Sequence, residues 1–426
     1  MSAAAAAASH RLYFVGIGGA GMAPLALLAH HLGYEVSGSD REANEKTSEL
    51  VRHGIPVRIG HSSANLPETI GLLVYSSAVQ ENNPERAEAS HRGIPQARRG
   101  EFLADLARFY RRVVAVSGAH GKSSTTALLA HILTVEGKHP AFLIGAEMTG
   151  CGSFSPGSGR DILVTEVDES DGTHTFIRAE VGIVPNIEED HAWSVGGAAA
   201  LMDNFALFGR HCDHLIYYSG EHPDRLFAEH PSAERLEAPP VECAGFFGFQ
   251  AANVRLAVAA AEYLGIPRDR AEAAARSFPG IGRRMFVRYD SPELTVVEDY
   301  AHHPSEIAAS IRLLRHKYPD RHLRVLIQPH RYARLEYFFD GFSKTLAEAD
   351  SVLVTPVFAA WSETGKVDGA ALAAALPNGR YVASDWEDTA RIAVAPPCPA
   401  RPLLLAVLGA GDIEKVFRYL PGGAAI

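Results

Sequence analysis

"VAVSGAHGKSSTT" (Val114–Thr126) is the stretch that decides what kind of chain this is. A β-branched run enters a turn with glycine at 118 and 121, and an apolar-periodic stretch leaves it. Strand, glycine turn and helix is the placement a phosphate loop requires. Backbone N–H groups and the helix N-terminus cradle phosphate, a lysine reaches the terminal phosphates, and a hydroxyl meets Mg²⁺. Gly118, Ala119, His120, Gly121, Lys122, Ser123 and Ser124 are therefore candidate nucleotide-binding residues. The strict pattern G-x-x-x-x-G-K-[ST] is not met, because Val116 holds the first glycine position; the loop is a G-x-x-G-K-S variant. An ordinary glycine turn capping a helix would account for the glycines but not for Lys-Ser-Ser in the first turn.

Upstream, "LYFVGIGGAGM" (Leu12–Met22) spells G-x-G-x-x-G with Gly16, Gly18 and Gly21 after a short apolar run. That is the fingerprint of a dinucleotide-binding turn. Asp40 stands about 20 residues on, where such a fold wants a carboxylate for a ribose. Taken alone, the pattern leaves NAD open as a ligand. "LYFVGI", "MAPLALLAHHLG", "YEVSGSD" and "GLLVYSSAV" alternate strand and helix signals, the βαβ pattern of a parallel sheet. "IPQARRGEFLADLARFYRR" then reads as a helix leading out of this first segment.

Downstream, "DILVTEVDES" and "VGIVPNIEEDH" are buried-strand candidates that end in acidic or histidine residues. Runs of charge are commonly solvated loops, but an acid at a strand's C-terminal end beside a phosphate loop suits Mg²⁺. Glu166 and His191 are the candidates there. After Tyr218 the pattern blurs to about Cys243, and "AANVRLAVAAAEYLG" restores a helix. A third segment begins near "FPGIGRRM", where "TVVEDYA", "LRVLIQPH", "SVLVTPVF" and "LLLAVLGAG" predict a third parallel sheet. "EDYAHHPSE" sets Asp299, Tyr300, His302 and His303 just after a strand. Adjacent histidines point in different directions, so one of the two is expected to be structural. "QPHRYAR" sets His330, Arg331 and Arg334 after another strand, and arginines three apart on one helical turn can converge on an anion. Strand C-termini are where open α/β sheets hold ligands.

At 426 residues the chain is too long for one ordinary core. Its 47% apolar and 21% charged content is that of a globular protein, and a net charge of −10 without a dense basic run argues against a nucleic-acid surface. Cys151, Cys212, Cys243 and Cys398 form no C-x-x-C pair, which suits a reducing compartment and gives no zinc signature. The alanine tract at the start has no basic residue ahead of it, and no apolar run is long enough to span a bilayer. A cytoplasmic protein without a membrane partner is expected, as a monomer or weak homodimer.

A glycine-turn segment, a phosphate-loop segment and a segment with His and Arg at strand ends, in that order, resemble the Mur ligases. These are the ATP-dependent amide-forming enzymes of peptidoglycan synthesis. "FVGIGGAGM", "SGSD", "YSSA", "NNPE", "IPQARRGEFLA", "GAHGKSSTT", "DESD", "NIEEDH", "GIGRR", "DYAHHP", "QPHRYAR" and "GAGDI" occur in the family's order over nearly the whole chain. The resemblance implies an α/β chain of three domains. These would be a Rossmann-like UDP-sugar domain over residues 1–109, a P-loop ATP domain over 110–280 and a Rossmann-like amino-acid-binding domain over 281–426.

It further implies that the first glycine turn takes UDP-N-acetylmuramate rather than NAD, and that ATP, Mg²⁺ and L-alanine complete the reaction. Gly18, Gly19, Ala20 and Gly21 would approach the diphosphate, with Ser39, Asp40 and Ser77 helping to hold the nucleotide sugar. Lys122 would bind the ATP phosphates, Ser123 and Glu166 one Mg²⁺, His191 a second metal site, and Asn253 the adenine. Arg284 or Arg283, Asp299, Tyr300, His302, Arg331 and Arg334 would complete the site from the last domain.

The chain departs from the family pattern in places. Ala252 and Leu256 replace the His and second Asn of the adenine motif, and the stretch from Tyr218 to Phe249 is shorter. Trp361 stands where the family carries Gly. Alternatives are a recycling ligase that attaches a ready-made peptide, another Mur-like amide ligase, or a catalytically weak sugar-nucleotide-binding relative.

Overall fold

The computed structural model describes residues 10–237, 239–359, 364–383, 385–396 and 401–421, without the side chains of Asp190, His191 and Trp193. Trp361 and Cys398 lie outside the described residues. Two compact units divide the chain, Met1–Pro279 and Gly280–Ile426.

The first unit holds two sheets. One is built from β1 (Arg11–Val15), β2 (Glu35–Asp40), β3 (Val57–Ile59), β4 (Leu72–Tyr75) and β5 (Gln96–Arg98), all parallel, in the order β3-β2-β1-β4-β5. The order reverses between β1 and β4, which opens a crevice at their C-terminal ends. The glycine turn after β1 lies there against Ser76, which follows β4. β3 and β5 are three-residue edges that hydrophobic patterning does not announce.

The second sheet comprises β6 (Arg112–Val116), β7 (Ala141–Met148), β8 (Gly152–Ser155), β9 (Ile162–Glu166), β10 (Ala179–Val184), β11 (Cys212–Tyr218) and β12 (Ala233–Leu236). Its order is β12-β11-β10-β6-β9-β7-β8, and only β8 runs antiparallel to its neighbour among the described strands. β6, which feeds the phosphate loop, sits near the middle, with the ends of β9 and β10 on either side. The blurred stretch after Tyr218 resolves into β12 and a two-residue hairpin, β13 (Glu242–Cys243) with β14 (Phe246–Phe247). One apolar cluster runs through both sheets, from Phe14 and Leu28 through Leu106 to Leu143 and Phe205. Each fully buried side chain of this size adds about 1.5–3 kcal/mol.

The second unit is a six-stranded sheet of β15 (Phe286–Asp290), β16 (Leu294–Asp299), β17 (His322–Ile327), β18 (Ser351–Val354), β19 (Gly379–Tyr381) and β20 (Leu403–Leu408). Its order is β15-β16-β20-β17-β18-β19. The sheet expected to be parallel is so except at β15, an antiparallel edge. β20 reads "LLLAVL" because both its faces are covered. Leu404, Ala406 and Leu408 enter one core and Leu405 and Val407 the other. Arg324, buried on β17, donates to the carbonyls of Ile392, Ala393 and Ala395, closing the C-terminal end of the helix Trp386–Val394.

Candidate active site

The phosphate loop joins β6 to the helix Lys122–Val135. Gly118 (φ +146°) and Gly121 (φ +83°) both adopt backbone that L side chains avoid. A Cβ on Gly118 would also sit 2.7 Å from the Asn186 carbonyl oxygen. The Asn186 amide brackets His120, accepting from its N–H at 2.9 Å and donating to its carbonyl at 3.0 Å. Asn186 thus holds the loop from the end of β10, a role not seen in the sequence because the partners are 66 residues apart. Ser123 and Ser124 are half-buried in the helix's first turn. Asn253, 6% exposed on the helix Phe249–Tyr263, lies against Gly121 and 3.5 Å from the Thr125 hydroxyl.

Lys122 Nζ donates to the Gly118 carbonyl and to Glu169 Oε2, both at 2.7 Å, with Asp168 Oδ1 at 4.0 Å. Burial works to lower the lysine's pKa, but Glu169 and Asp168 outweigh it and the net shift is upward, so Lys122 stays a cation. Glu169, not singled out within "TEVDESD", is fully buried. Glu166 closes β9 in register with Val116 of β6. Its Oε2 is buried without a hydrogen-bond partner among the described residues. Gly145 leaves the space that the Glu166 carboxylate fills. The side chain of His191 lies outside the described residues.

In the first sheet, Asp40 does not point away from the protein. Its Oδ2 accepts the Gly18 N–H at 2.8 Å, pinning the glycine turn. Asn44, which caps the helix Glu45–Arg52, reaches the Gly18 carbonyl from the other side. The turn's bonds use the N–H groups of Gly16, Ile17, Gly18 and Gly19, and among the described residues none uses those of Ala20 and Gly21 at the start of the helix Met22–His31. Ser39 is buried and donates to Glu85 at 2.8 Å. Glu85, from "NNPE", is the buried hub that also takes His61, Asn65 and Tyr13. Ser77 is exposed beyond β4.

In the second unit, β16, β20 and β17 are neighbours, so Asp299, the Gly409–Gly411 turn and Gln328–Arg331 share one edge. Asp299 is 3% exposed; burial pushes its carboxyl up to about 6, while Arg284 and the bonds from Ser310 and Ala301 pull it back. Arg283 and Arg284 both approach Tyr300, their guanidinium carbons 5.1 and 4.9 Å from its ring centre. His302 and His330 meet at 5.7 Å between ring centroids. His303 caps the helix Pro304–Lys317.

The two arginines of "QPHRYAR" do not share a helical turn. Arg331 precedes the helix Tyr332–Tyr337 with φ +70°, and only Arg334 lies within it, buried, its Nη1 3.3 Å from His330 Nδ1. A left-handed, half-buried arginine at a strand end is the kind of strain that gathers at functional sites.

The descriptions "Mur ligase family, catalytic domain" and "Mur ligase, glutamate ligase domain" match residues 11–111 and 283–410. The chain is 32% identical to UDP-N-acetylmuramate–L-alanine ligase of Methylococcus capsulatus, an alignment covering 96% of each chain. It is 35% identical to the enzyme of that name from Halorhodospira halophila, over 86% of this chain and 83% of the other. The crystal structure of UDP-N-acetylmuramate–alanine ligase from Thermotoga maritima superposes with a TM-score of 0.81 at 26% identity, covering 96% of this chain and 98% of that one. With likeness of this order sustained from the first glycine turn to the last strands, the chain belongs to the Mur ligase family.

Proposed function

We propose that this protein joins the carboxylate of UDP-N-acetylmuramate to the amine of L-alanine, driven by ATP. The observation that carries the reading is a phosphate loop whose lysine faces strand-end acids, in a chain 32–35% identical to alanine-adding ligases over most of its length. The N–H groups of Ala20 and Gly21, without a protein acceptor among the described residues, meet the diphosphate of the nucleotide sugar, with Gly18 and Gly19 shaping the turn and Ser77 at its rim. Asp40 acts by pinning that turn.

ATP lies along the phosphate loop, its terminal phosphates facing Lys122 and the N-terminus of the helix Lys122–Val135. A lactyl carboxylate oxygen attacks the γ-phosphorus and ADP leaves, giving an acyl phosphate. The amine of L-alanine then attacks the acyl carbon, losing a proton, and phosphate departs from the tetrahedral intermediate. Lys122 offsets charge on the transferring phosphoryl group. The orphaned, buried Oε2 of Glu166 fits a divalent cation, which Ser123 and Glu166 would hold, with His191 as a further candidate. Mg²⁺, when bound, supplies charge neutralisation at the phosphates. Arg331 and Arg334 supply cationic charge for the carboxylate of L-alanine, with Tyr300 and His302 beside them. The nucleotide-sugar, ATP and amino-acid roles fall to residues 1–109, 110–280 and 281–426.

Phosphate release, measured with UDP-N-acetylmuramate and with L-alanine, glycine, L-serine or L-alanyl-γ-D-glutamyl-diaminopimelate in turn, tests the reading. L-Alanine is expected to be preferred, and the nucleotide sugar but not NAD should raise the melting temperature. Preferred turnover of the tripeptide, or a melting shift with NAD alone, overturns it.

A further inference from the structure

Arg99 stands at the start of the helix Arg99–Ala107, just after β5, and meets both sheets of the first unit. Its guanidinium presses on the glycine turn so closely that a Cβ at Gly21 would fall on Nη1 and crowd Cζ and Cδ. The other edge reaches the acidic loop after β9. Nη2 donates to Asp171 Oδ2 at 2.7 Å and to the Thr173 hydroxyl at 3.2 Å. Gly100, next in sequence, permits this approach, since a Cβ there would lie 2.8 Å from Thr173 Cα. Asp168 stands between two cations, its Oδ2 3.9 Å from Arg99 and its Oδ1 4.0 Å from Lys122.

Three features of this seam point at an anion. Nε and Nη1 of Arg99 donate to no protein atom among the described residues, although the side chain is only 16% exposed. The N–H groups of Ala20 and Gly21 beside it donate to no protein atom among the described residues. The two carboxylates paired with Arg99, Asp168 and Asp171, both meet it at Nη2 and lie in the loop that also faces Lys122. A guanidinium with one edge fixed by a carboxylate presents its remaining donors in a set direction, which suits a phosphate oxygen.

We propose that Arg99 is a positioning residue: its Nη1 edge takes a phosphate oxygen of the nucleotide sugar seated on Ala20 and Gly21, while its Nη2 edge holds the Asp168–Thr173 loop against the phosphate loop. This rests on the reading that the first glycine turn takes the nucleotide sugar. Filling that turn locks Arg99, Arg99 locks the acidic loop, and the loop sets Lys122 through Asp168 and Glu169. Nucleotide-sugar binding and phosphoryl transfer are thereby coupled through one side chain.

Calorimetry with UDP-N-acetylmuramate and steady-state phosphate release with L-alanine, on the whole chain, test this. Arg99→Ala should raise the Kd for the nucleotide sugar by about 10- to 100-fold and lower kcat by about 10-fold or more, with the Kd for ATP alone unchanged. Arg99→Lys keeps the charge but not the fork, so it should restore most of the affinity and little of kcat. Asp171→Asn should leave nucleotide-sugar affinity near wild type while kcat falls. Should Arg99→Ala not fold, the lysine and Asp171 variants carry the same split. Wild-type protein that neither binds the nucleotide sugar nor releases phosphate overturns the functional reading, and the role of Arg99 with it. Wild-type protein that does both, alongside variants that match it in Kd and kcat, overturns the role of Arg99 alone. A lowered melting temperature with both constants unchanged does the same.

Discussion

His174 makes the second sheet acid-sensitive by an amount the structure allows to be worked out. It lies fully buried after β9, its ring 5.0 Å from Phe205 and 5.9 Å from Phe208 between centroids. Neither ring nitrogen has a hydrogen-bond partner among the described residues. Burial drives its pKa down from 6.5 to about 4, against the opposing pull of the Asp168 backbone and of the Asp168 and Asp171 carboxylates. Because the folded value is depressed, the unfolded chain binds the proton more readily between about pH 6.5 and pH 4. Stability is therefore fully present above pH 6.5 and is lost as the pH falls through that window. A shift of this size corresponds to about 3 kcal/mol in full, of which about 2 kcal/mol is lost between pH 7 and pH 5. Urea unfolding of wild type and His174→Leu at both pH values isolates the contribution, since every other group is common to the two proteins. Leucine is close to histidine in volume and needs no partner, so the variant should be at least as stable at pH 7 and about 2 kcal/mol less sensitive to the change. An NMR titration of the ring gives the folded pKa directly. Equal pH dependence in the two proteins, or a ring that titrates near 6.5, would refute the reasoning.

Lys122→Ala should lower kcat by about 10²-fold or more, by loss of a preorganised charge at the transferring phosphoryl group, in steady-state phosphate release from protein with a native circular dichroism spectrum. Arg334→Ala removes the guanidinium beside His330 and should raise the KM for L-alanine by about 10-fold or more while the Kd for the nucleotide sugar stays put, read by kinetics and calorimetry respectively. Arg324→Leu strands three carbonyls at the end of the helix Trp386–Val394 and should cost about 2–4 kcal/mol in urea unfolding without changing the KM for any substrate.

What the sequence made legible is what it encodes locally. The phosphate loop could be read because strand, two glycines, lysine and hydroxyl are contiguous, whereas its place between β9 and β10 is a matter of strand order that no local pattern gives. The long central strands were readable from apolar runs, whereas β3, β5 and the turn into β8 carry too few apolar residues to register. Paired arginines in "QPHRYAR" suggested a shared helical face, but the backbone turns left-handed at Arg331 and the helix starts one residue later. Asn186 and Glu85 escaped notice for another reason. Each is an ordinary polar residue whose importance comes from several partners distant in the chain, and no spacing rule describes that.

The same distinction explains why the first glycine turn resembles a dinucleotide site when read alone. Both glycine turns of the first unit present backbone N–H groups at a helix N-terminus, and both need a cation to complete an anion site. The phosphate loop carries its cation in the next residue, Lys122, so the sequence spells out a nucleotide loop. The first turn has no cation beside it in the chain and takes Arg99 from the helix after β5. Without a lysine in view, G-x-G-x-x-G followed by Asp40 looks like NAD chemistry, in which the acid would meet a ribose. In the folded chain that carboxylate accepts the Gly18 N–H and so shapes the turn. The guanidinium at Gly21, tied to the acids that face Lys122, makes the two turns parts of one charge network rather than two separate nucleotide sites. That is the arrangement a ligase needs when the carboxylate of one bound nucleotide must be phosphorylated by another.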